Sequence, residues 1–418
     1  MSPLICFYFQ VHQPYRLRDL RVGDIGKEET AYFDEEKNRA VFRKVAEKCY
    51  LKANRTMLRM LNENDNFRVS YSLSGVFLDQ CEEYGTDVLE SFQDLARTGK
   101  VEFLAETYYH SLSSLTSIPE FCAQVDKHMR RIEQLFEQTP TVFRNTELIF
   151  NNEIAQTVRL MGFKGIIAEG ADHVLRGRNP NVPYRVPSFE LDREREAMIV
   201  RLRPHKKASE DMHILLKNHR LSDDIAFRFS DKNWKGHPLF ADTFCNWLQA
   251  TEGHSINLFM DYETFGEHQW EDTGIFNFLS ALPGEMDKRG MRCATPSEVI
   301  EQWEGKERDV YDAHSTISWA DTERDLSAWL GNEIQRSAMQ AAYALESAVK
   351  ALNNAEVLES WRRLLTSDHL YYMCTKYWAD GDVHKYFSPY DSPYEAYRRF
   401  SHALCDLRAR ISSSSTNI

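Results

Sequence analysis

The stretch that decides the fold is Ile256-Asn257-Leu258-Phe259-Met260, which runs without a break into Asp261-Tyr262-Glu263-Thr264-Phe265-Gly266-Glu267-His268. A short, nearly continuous apolar run predicts a strand covered on both faces, the kind found in parallel sheets. The segment after it is dense in ionisable and aromatic residues, and Gly266 permits a tight turn. Asp261 and Glu263 alternate with Tyr262, so both carboxylates share a face for as long as the strand geometry persists. Taken alone, this is equally an acidic loop after a buried strand.

The same pattern recurs upstream. Leu4–Phe9, Phe67–Leu73, Val101–Leu104, Val142–Arg144, Gly165–Ala168, Met198–Leu202 and His213–Leu216 read as further strands. Between them lie amphipathic stretches, Val41–Leu61, Asp87–Ala96 and Phe121–Leu135, which read as helices. Two helix starts carry reciprocal capping signals, Ser117-Ile118-Pro119-Glu120 and Thr295-Pro296-Ser297-Glu298, the latter leading into Val299–Trp303. Such alternation predicts βα units around a parallel sheet, either wound or closed as a barrel. Beyond about residue 305 the strand signals thin, and Leu326–Ala351, Leu358–Leu365 and Ala396–Arg410 read as helices. The expected organisation is an α/β unit over 1–305 and a helical region over 306–418 packed on it, with no Gly/Ser/Pro linker between them and no internal repeat.

Strand ends in parallel α/β folds deliver their last residues to the functional face. Four of the predicted strands end alike. Leu4–Phe9 leads to His12-Gln13-Pro14, and Val101–Leu104 leads to Glu106-Thr107-Tyr108-Tyr109-His110. Val142–Phe143 leads to Arg144-Asn145-Thr146-Glu147, and the fourth is the run ending at Asp261. Glu147 precedes the apolar Leu148-Ile149-Phe150, and Arg144 is placed to keep a nearby carboxylate ionised. Alone, that pair is also what a surface ion pair looks like. Two carboxylates from separate strand ends are what glycosidic cleavage requires: one attacks the anomeric carbon, the other protonates the leaving oxygen. Tyr108, Tyr109, Tyr262, Phe265, Trp270 and Trp319 lie in or beside these segments, suited either to core packing or to stacking on sugar C–H faces. The histidines His12, His110, His205, His268 and His369 could join Asp261 around a metal, but no HExxH spacing is present and they serve equally as partners for sugar hydroxyls.

The whole chain narrows the function classes. It has 418 residues, 42% hydrophobic and 27% charged, enough for a sizeable core. A formal charge of −12 argues against nucleic acid or an anionic membrane as partner, since both reward a basic face. The eight cysteines form no CxxC pair, and Leu4–Phe9 is too short for a signal core. No stretch approaches the ~20 apolar residues of a membrane span. The expectation is a cytoplasmic protein with reduced thiols.

Five ordered segments resemble glycoside hydrolase family 57, specifically its α-amylase-type branch. They are His12-Gln13-Pro14; Gly99-Lys100-Val101-Glu102 continuing to Tyr108-Tyr109-His110-Ser111; Phe143-Arg144-Asn145-Thr146-Glu147; Met260 to His268; and, from the helical region, Ser318-Trp319-Ala320-Asp321 with Ser367-Asp368-His369. The resemblance implies an incomplete (β/α)7 barrel followed by a C-terminal helical bundle, and a retaining α-1,4-glucan hydrolase with Glu147 as nucleophile and Asp261 as general acid/base. It implies substrate contacts from His12, Gln13, Glu102, Tyr109, His110, Arg144, Glu263, Phe265, His268, Trp319, Asp321, Asp368 and His369, with no metal and no cofactor. A 4-α-glucanotransferase or branching enzyme of the same family is the nearest alternative. A metal-dependent deacetylase or mannosidase-like hydrolase and a non-catalytic glucan-binding protein are the readings from other classes.

Overall fold

The computed structural model describes residues 3–27, 31–187, 191–203, 207–376 and 386–415. The strands among them are β1 (Leu4–Val11), β2 (Val69–Leu73), β3 (Val101–Phe103), β4 (Val142–Arg144), β5 (Gly165–Glu169), β6 (Tyr184–Arg185), β7 (His213–Lys217), β8 (Ser255–Asp261) and β9 (Arg292–Cys293). Two parallel sheets, β3-β2-β1-β8 and β4-β5-β7, form opposite walls of one barrel. One seam is a parallel bridge between Ala105 and Phe143. The other is made by Asn257, whose Nδ2 donates to Leu216 O and whose carbonyl accepts from Asn218 N, at 2.8 and 2.9 Å. Seven parallel strands thus make the incomplete (β/α)7 barrel. β6 lies antiparallel on β7, and β9 pairs with the first residues of β1. Neither of these two-residue strands carries a run long enough to read from sequence.

The barrel interior is filled by Cys6, Tyr8, Leu104, Val142, Ile167, Leu215 and Phe259, and closed at the N-terminal end by Ala294, Val299 and Ile300. The helix Pro296–Glu301 supplies that plug, and its Thr295/Glu298 capping box forms as the sequence predicts. Ile300 approaches β5 so closely that any side chain at Gly165 would collide with it. Outside the barrel, one apolar core backs β1, β2, β3 and β8. A second backs β4, β5 and β7 and is continuous with the C-terminal helices through Trp329, Trp361, Leu370, Phe400 and Leu404.

Two readings need correction. Met198–Leu202 is not a strand but the end of the helix Arg193–Leu202, whose Asp192 cap accepts from Glu194 N and Arg195 N. Of its short apolar run only Ile199 is buried while Val200 is exposed, so a β reading would bury what the fold leaves in water. The single helix expected over Leu326–Ala351 is three, Ser327–Leu330, Glu333–Tyr343 and Glu346–Ala351. Asn332, capping the second through Gln335, marks the first break. None of the eight cysteines, all within the described residues, forms a disulfide, and seven of them are buried. No described helix is long and apolar enough to cross a membrane.

Candidate active site

At the C-terminal end of the barrel strands lies a cavity of about 910 Å³ lined by residues from β1, β7 and β8, their following loops, and the helical region. Glu147 and Asp261 both line it. Asp261 closes β8, one position past the last buried residue of the strand. Glu147 follows β4 with φ 57°, a left-handed conformation that L-residues avoid. His110, Asp321 and Arg324 share that conformation, with φ between 50° and 55°. Four such residues around one cavity cost about 1 kcal/mol or more each, a strain tolerated where geometry serves function.

Glu147 is gripped on both oxygens: His110 Nε2 donates to Oε1 at 2.9 Å and the Trp319 indole donates to Oε2 at 2.7 Å. The other His110 nitrogen, Nδ1, meets Glu106 Oε2 at 3.1 Å. A ring between two carboxylates must donate from both nitrogens, which makes it an imidazolium. Burial opposes that charge, but the hydrogen bonds from His110 to Glu106 and Glu147 raise its pKa to about 9. Conversely, burial pushes Glu147 up, and His110, Arg144 and Trp319 outweigh it, holding the carboxyl below its ordinary value. Glu106, likewise buried, is held down at about 2 by His110 and Arg144. Arg144 is wholly buried, 3.9 Å from Glu106 and 5.2 Å from the centre of the Trp319 ring. Lys217 Nζ lies 5.3 Å from the same ring centre, so two cations flank the indole that holds Glu147.

Asp261 lives in the opposite environment. Burial, then the charge of Glu147, raise it to about 6 against the pull of Arg144 and Lys217. Glu263 rises further, to about 8, through burial and the neighbouring Asp261, although the Tyr50 hydroxyl donates to it. The two carboxyls of one cavity are therefore pushed apart, Glu147 below its ordinary value and Asp261 above it, the division that nucleophile and acid roles require.

Beside His110, His12 Nε2 bonds Asp368 Oδ2 at 2.9 Å and Nδ1 bonds Ser74 Oγ at 2.7 Å. Its ring stacks on His110 at 4.0 Å between centroids. Burial and the His110 charge lower its pKa, whereas His12 draws Asp368 well below the carboxylate range against the cost of burial. His12, His110 and Asp368 each bring a donor atom within 4.8 Å of the others, a set with the composition of a metal site. As arranged, His12 and Asp368 bond each other while His110 bonds Glu106 and Glu147, and His110 would have to lose a proton before it could ligate.

Of the residues assigned to substrate from sequence, His12, Gln13, His110, Glu263, His268, Trp319, Asp321 and Asp368 line the cavity with the two carboxylates. Arg144 lies behind Glu147 and Trp319 and acts on them by charge. The other four are elsewhere. Phe265 packs in the outer core against Phe9 and Tyr262. Tyr109 is buried with its hydroxyl on Glu359, and His369 bonds the Arg363 carbonyl at 3.3 Å and packs on Phe400. Glu102 points to the closed end of the barrel, where its Oε2 accepts from Ser297 N and Oγ, both at 3.0 Å. Strand direction explains the Glu102 miss: it sits within β3, before the functional edge. His205 lies outside the described residues.

The sequence reading passed over Lys217, Asp223, Arg324, Tyr371 and Tyr372, all on the cavity wall. Lys217 was within reach of the strand-end rule, because it ends β7. Arg324 carried no signal; it arrives by a left-handed loop whose guanidinium donates to the Trp319 carbonyl. Lys217 and Arg324 lie against Asp223 and the fully buried Glu169, a charge-balanced wall beside the indole.

Two variants separate these placements. Glu102→Ala removes charge-assisted bonds to a helix end, at a cost of about 1–3 kcal/mol. It should lower the melting temperature while leaving kcat/KM within about twofold of the parent. Trp319→Phe removes one donor from Glu147. Its carboxyl pKa should rise, moving the acid limb of the pH–rate profile upward, and kcat should fall by about tenfold or more; an unmoved acid limb would contradict the contact's role.

Comparisons with known proteins agree with this fold. A model described as glycosyl hydrolase family 57 matches residues 6–314. A protein of Methanocaldococcus jannaschii named "Putative alpha-amylase" is 41% identical over 98% of this chain and 85% of its own length. Among solved structures, a branching enzyme of Thermococcus kodakaraensis superposes with a TM-score of 0.63 at 13% identity, over 96% of this chain and 89% of its own. A 4-α-glucanotransferase of Thermococcus litoralis superposes at 0.60 and 15% identity over 88% of this chain, which spans only 56% of that enzyme. At such identities the structural matches speak for the fold alone.

Proposed function

The chain belongs to glycosyl hydrolase family 57, and from that premise we propose that it cleaves α-1,4-glucan by a retaining mechanism with Glu147 as nucleophile and Asp261 as acid/base. The observation that carries the reading is the opposed charge state of the two carboxyls, Glu147 held below its ordinary pKa and Asp261 raised to about 6. Glu147 attacks the anomeric carbon while Asp261 delivers its proton to the departing glycosidic oxygen, leaving a glycosyl ester on Glu147. Asp261, now ionised, takes a proton from an incoming water, whose oxygen displaces Glu147 and regenerates both groups. His110 and Trp319 keep the nucleophile oriented between turnovers. Substrate hydroxyls would meet His12, Gln13, Glu263, His268, Asp321 and Asp368.

The α-glucan assignment draws on the name carried by the 41% identical relative. Hydrolysis and transfer share the glycosyl ester and differ in whether water or a sugar hydroxyl resolves it. Incubation with maltoheptaose and soluble starch, with products resolved by size, tests both. Shorter products alone support the hydrolase, and mixed longer and shorter products support a transferase or branching enzyme. Glucan binding without turnover would instead support a binding protein. Seven buried cysteines outside any disulfide and the −12 charge support a cytoplasmic enzyme without a nucleic-acid partner.

A further inference from the structure

The aromatics that the sequence offered for stacking are mostly buried, yet the cavity mouth presents a different set. Phe227, Tyr386 and Phe387 line the same cavity as the two carboxylates and are 61%, 57% and 39% exposed. Large rings left in water around one cavity are unfavourable unless something covers them in use. Their positions are fixed by contacts with the loop that follows Asp261. Gln269 Nε2 donates to Ala226 O at 2.8 Å, which anchors the backbone next to Phe227. The Tyr386 hydroxyl donates to Glu267 O at 3.4 Å, and the His268 ring stands edge-on to Phe387 with centroids 5.3 Å apart. Tyr386 and Phe387 are themselves 5.1 Å apart. Polar groups accompany the rings: Glu267 also lines the cavity and is bonded by Lys44 at 2.7 Å.

We propose that Phe227, Tyr386 and Phe387, with His268, form a stacking platform for glucosyl units on the leaving-group side of the bond that is cut. The inference rests on the assignment of Asp261 as acid/base. A group that protonates the leaving oxygen must lie beside it, so the part of the chain beyond that oxygen continues over the residues that follow Asp261, and the platform is built on those residues. The C–H faces of successive glucose rings match exposed aromatic faces, while the adjoining Glu267–Lys44 pair offers hydroxyl partners. The platform fits a polymeric or long oligomeric α-glucan and gives a disaccharide little to hold. Its occupant is therefore a glucan chain and not a second protein.

The test compares the parent with Tyr386→Ala, Phe387→Ala and Phe227→Ala, each checked for an unchanged melting curve, using maltoheptaose and maltotriose. In the platform variants the ratio of kcat/KM for maltoheptaose to that for maltotriose should fall by about tenfold. In a Glu147→Gln background the same substitutions should weaken maltoheptaose binding, measured by calorimetry, by a similar factor. If the parent cleaves both sugars and the ratio does not move in any variant, the platform is overturned and the glycosidase reading stands. If the parent cleaves neither sugar and Glu147→Gln binds no maltoheptaose, the functional reading falls and the platform with it.

Discussion

Glu147→Gln should abolish turnover of maltoheptaose, with kcat reduced by on the order of 10⁴- to 10⁶-fold, as expected when a covalent nucleophile is lost. The amide is nearly the same size as the carboxylate, but it carries no charge and cannot form the glycosyl ester. It also changes the contacts around it. Trp319 Nε1 and His110 Nε2 both donate to Glu147 in the parent; the amide offers one acceptor oxygen and one donor nitrogen, so one of these donors loses its partner. Removing a charge beside the imidazolium should also lower the His110 pKa from about 9, a shift that NMR of the ring can read. Stability should change little by comparison, because Glu147 lies in the cavity and not in the core. A variant that retained a hundredth of the parent's turnover would remove Glu147 from the nucleophile role.

Asp261→Asn should lower kcat on natural glucans by about 10²- to 10⁴-fold, the usual contribution of a positioned general acid. The loss should depend on the leaving group. An aryl glycoside, whose phenolate departs without a proton, should escape the first-step penalty and accumulate the glycosyl-enzyme, giving a burst. Asparagine there also removes the charge that presses on Glu263, whose raised pKa of about 8 owes most to burial and next to Asp261. The parent's pH profile is set by the same charges. The first step needs Glu147 ionised and Asp261 protonated. Glu147 is held below its ordinary value, so activity should rise on the acid side as its proton leaves. Asp261 titrates at about 6, so kcat/KM should fall as pH passes upward through 6 and the acid loses its proton. In Asp261→Asn the alkaline limb should vanish while the acid limb stays. An alkaline limb that persists unchanged would assign it to another group and withdraw the acid/base role from Asp261.

Individual residues show how far strand-end reasoning reaches. It led to Glu147, His110, His12 and Asp261, which line one cavity, because each follows an apolar run that reads as a buried strand. It does not carry Glu102, which the resemblance supplied and which lies before the functional edge of β3. It failed on Phe265 and Tyr109, because a loop that begins at the site can turn its aromatics back into the core. The helical region contributed Asp321 and Asp368 through resemblance alone, since nothing in a helical periodicity says which face meets the barrel.

Residue order was enough for the alternation of strands and helices, the ends at which polar residues collect, and the presence of two carboxylates from separate strands. Those properties are local: apolar runs, capping boxes and turn residues act over a few positions, and their physics is complete within them. Closure of seven strands into one ring, with Asn257 bridging Leu216 and Asn218 at the seam, came only with the folded chain. So did the place of Glu147 between His110 and Trp319, partners 37 and 172 residues away in the chain. Charge states in the cavity belong to the fold as well. A carboxyl's pKa depends on which charges lie within a few ångströms and on how much water has been excluded, and neither quantity is written in the order of the residues.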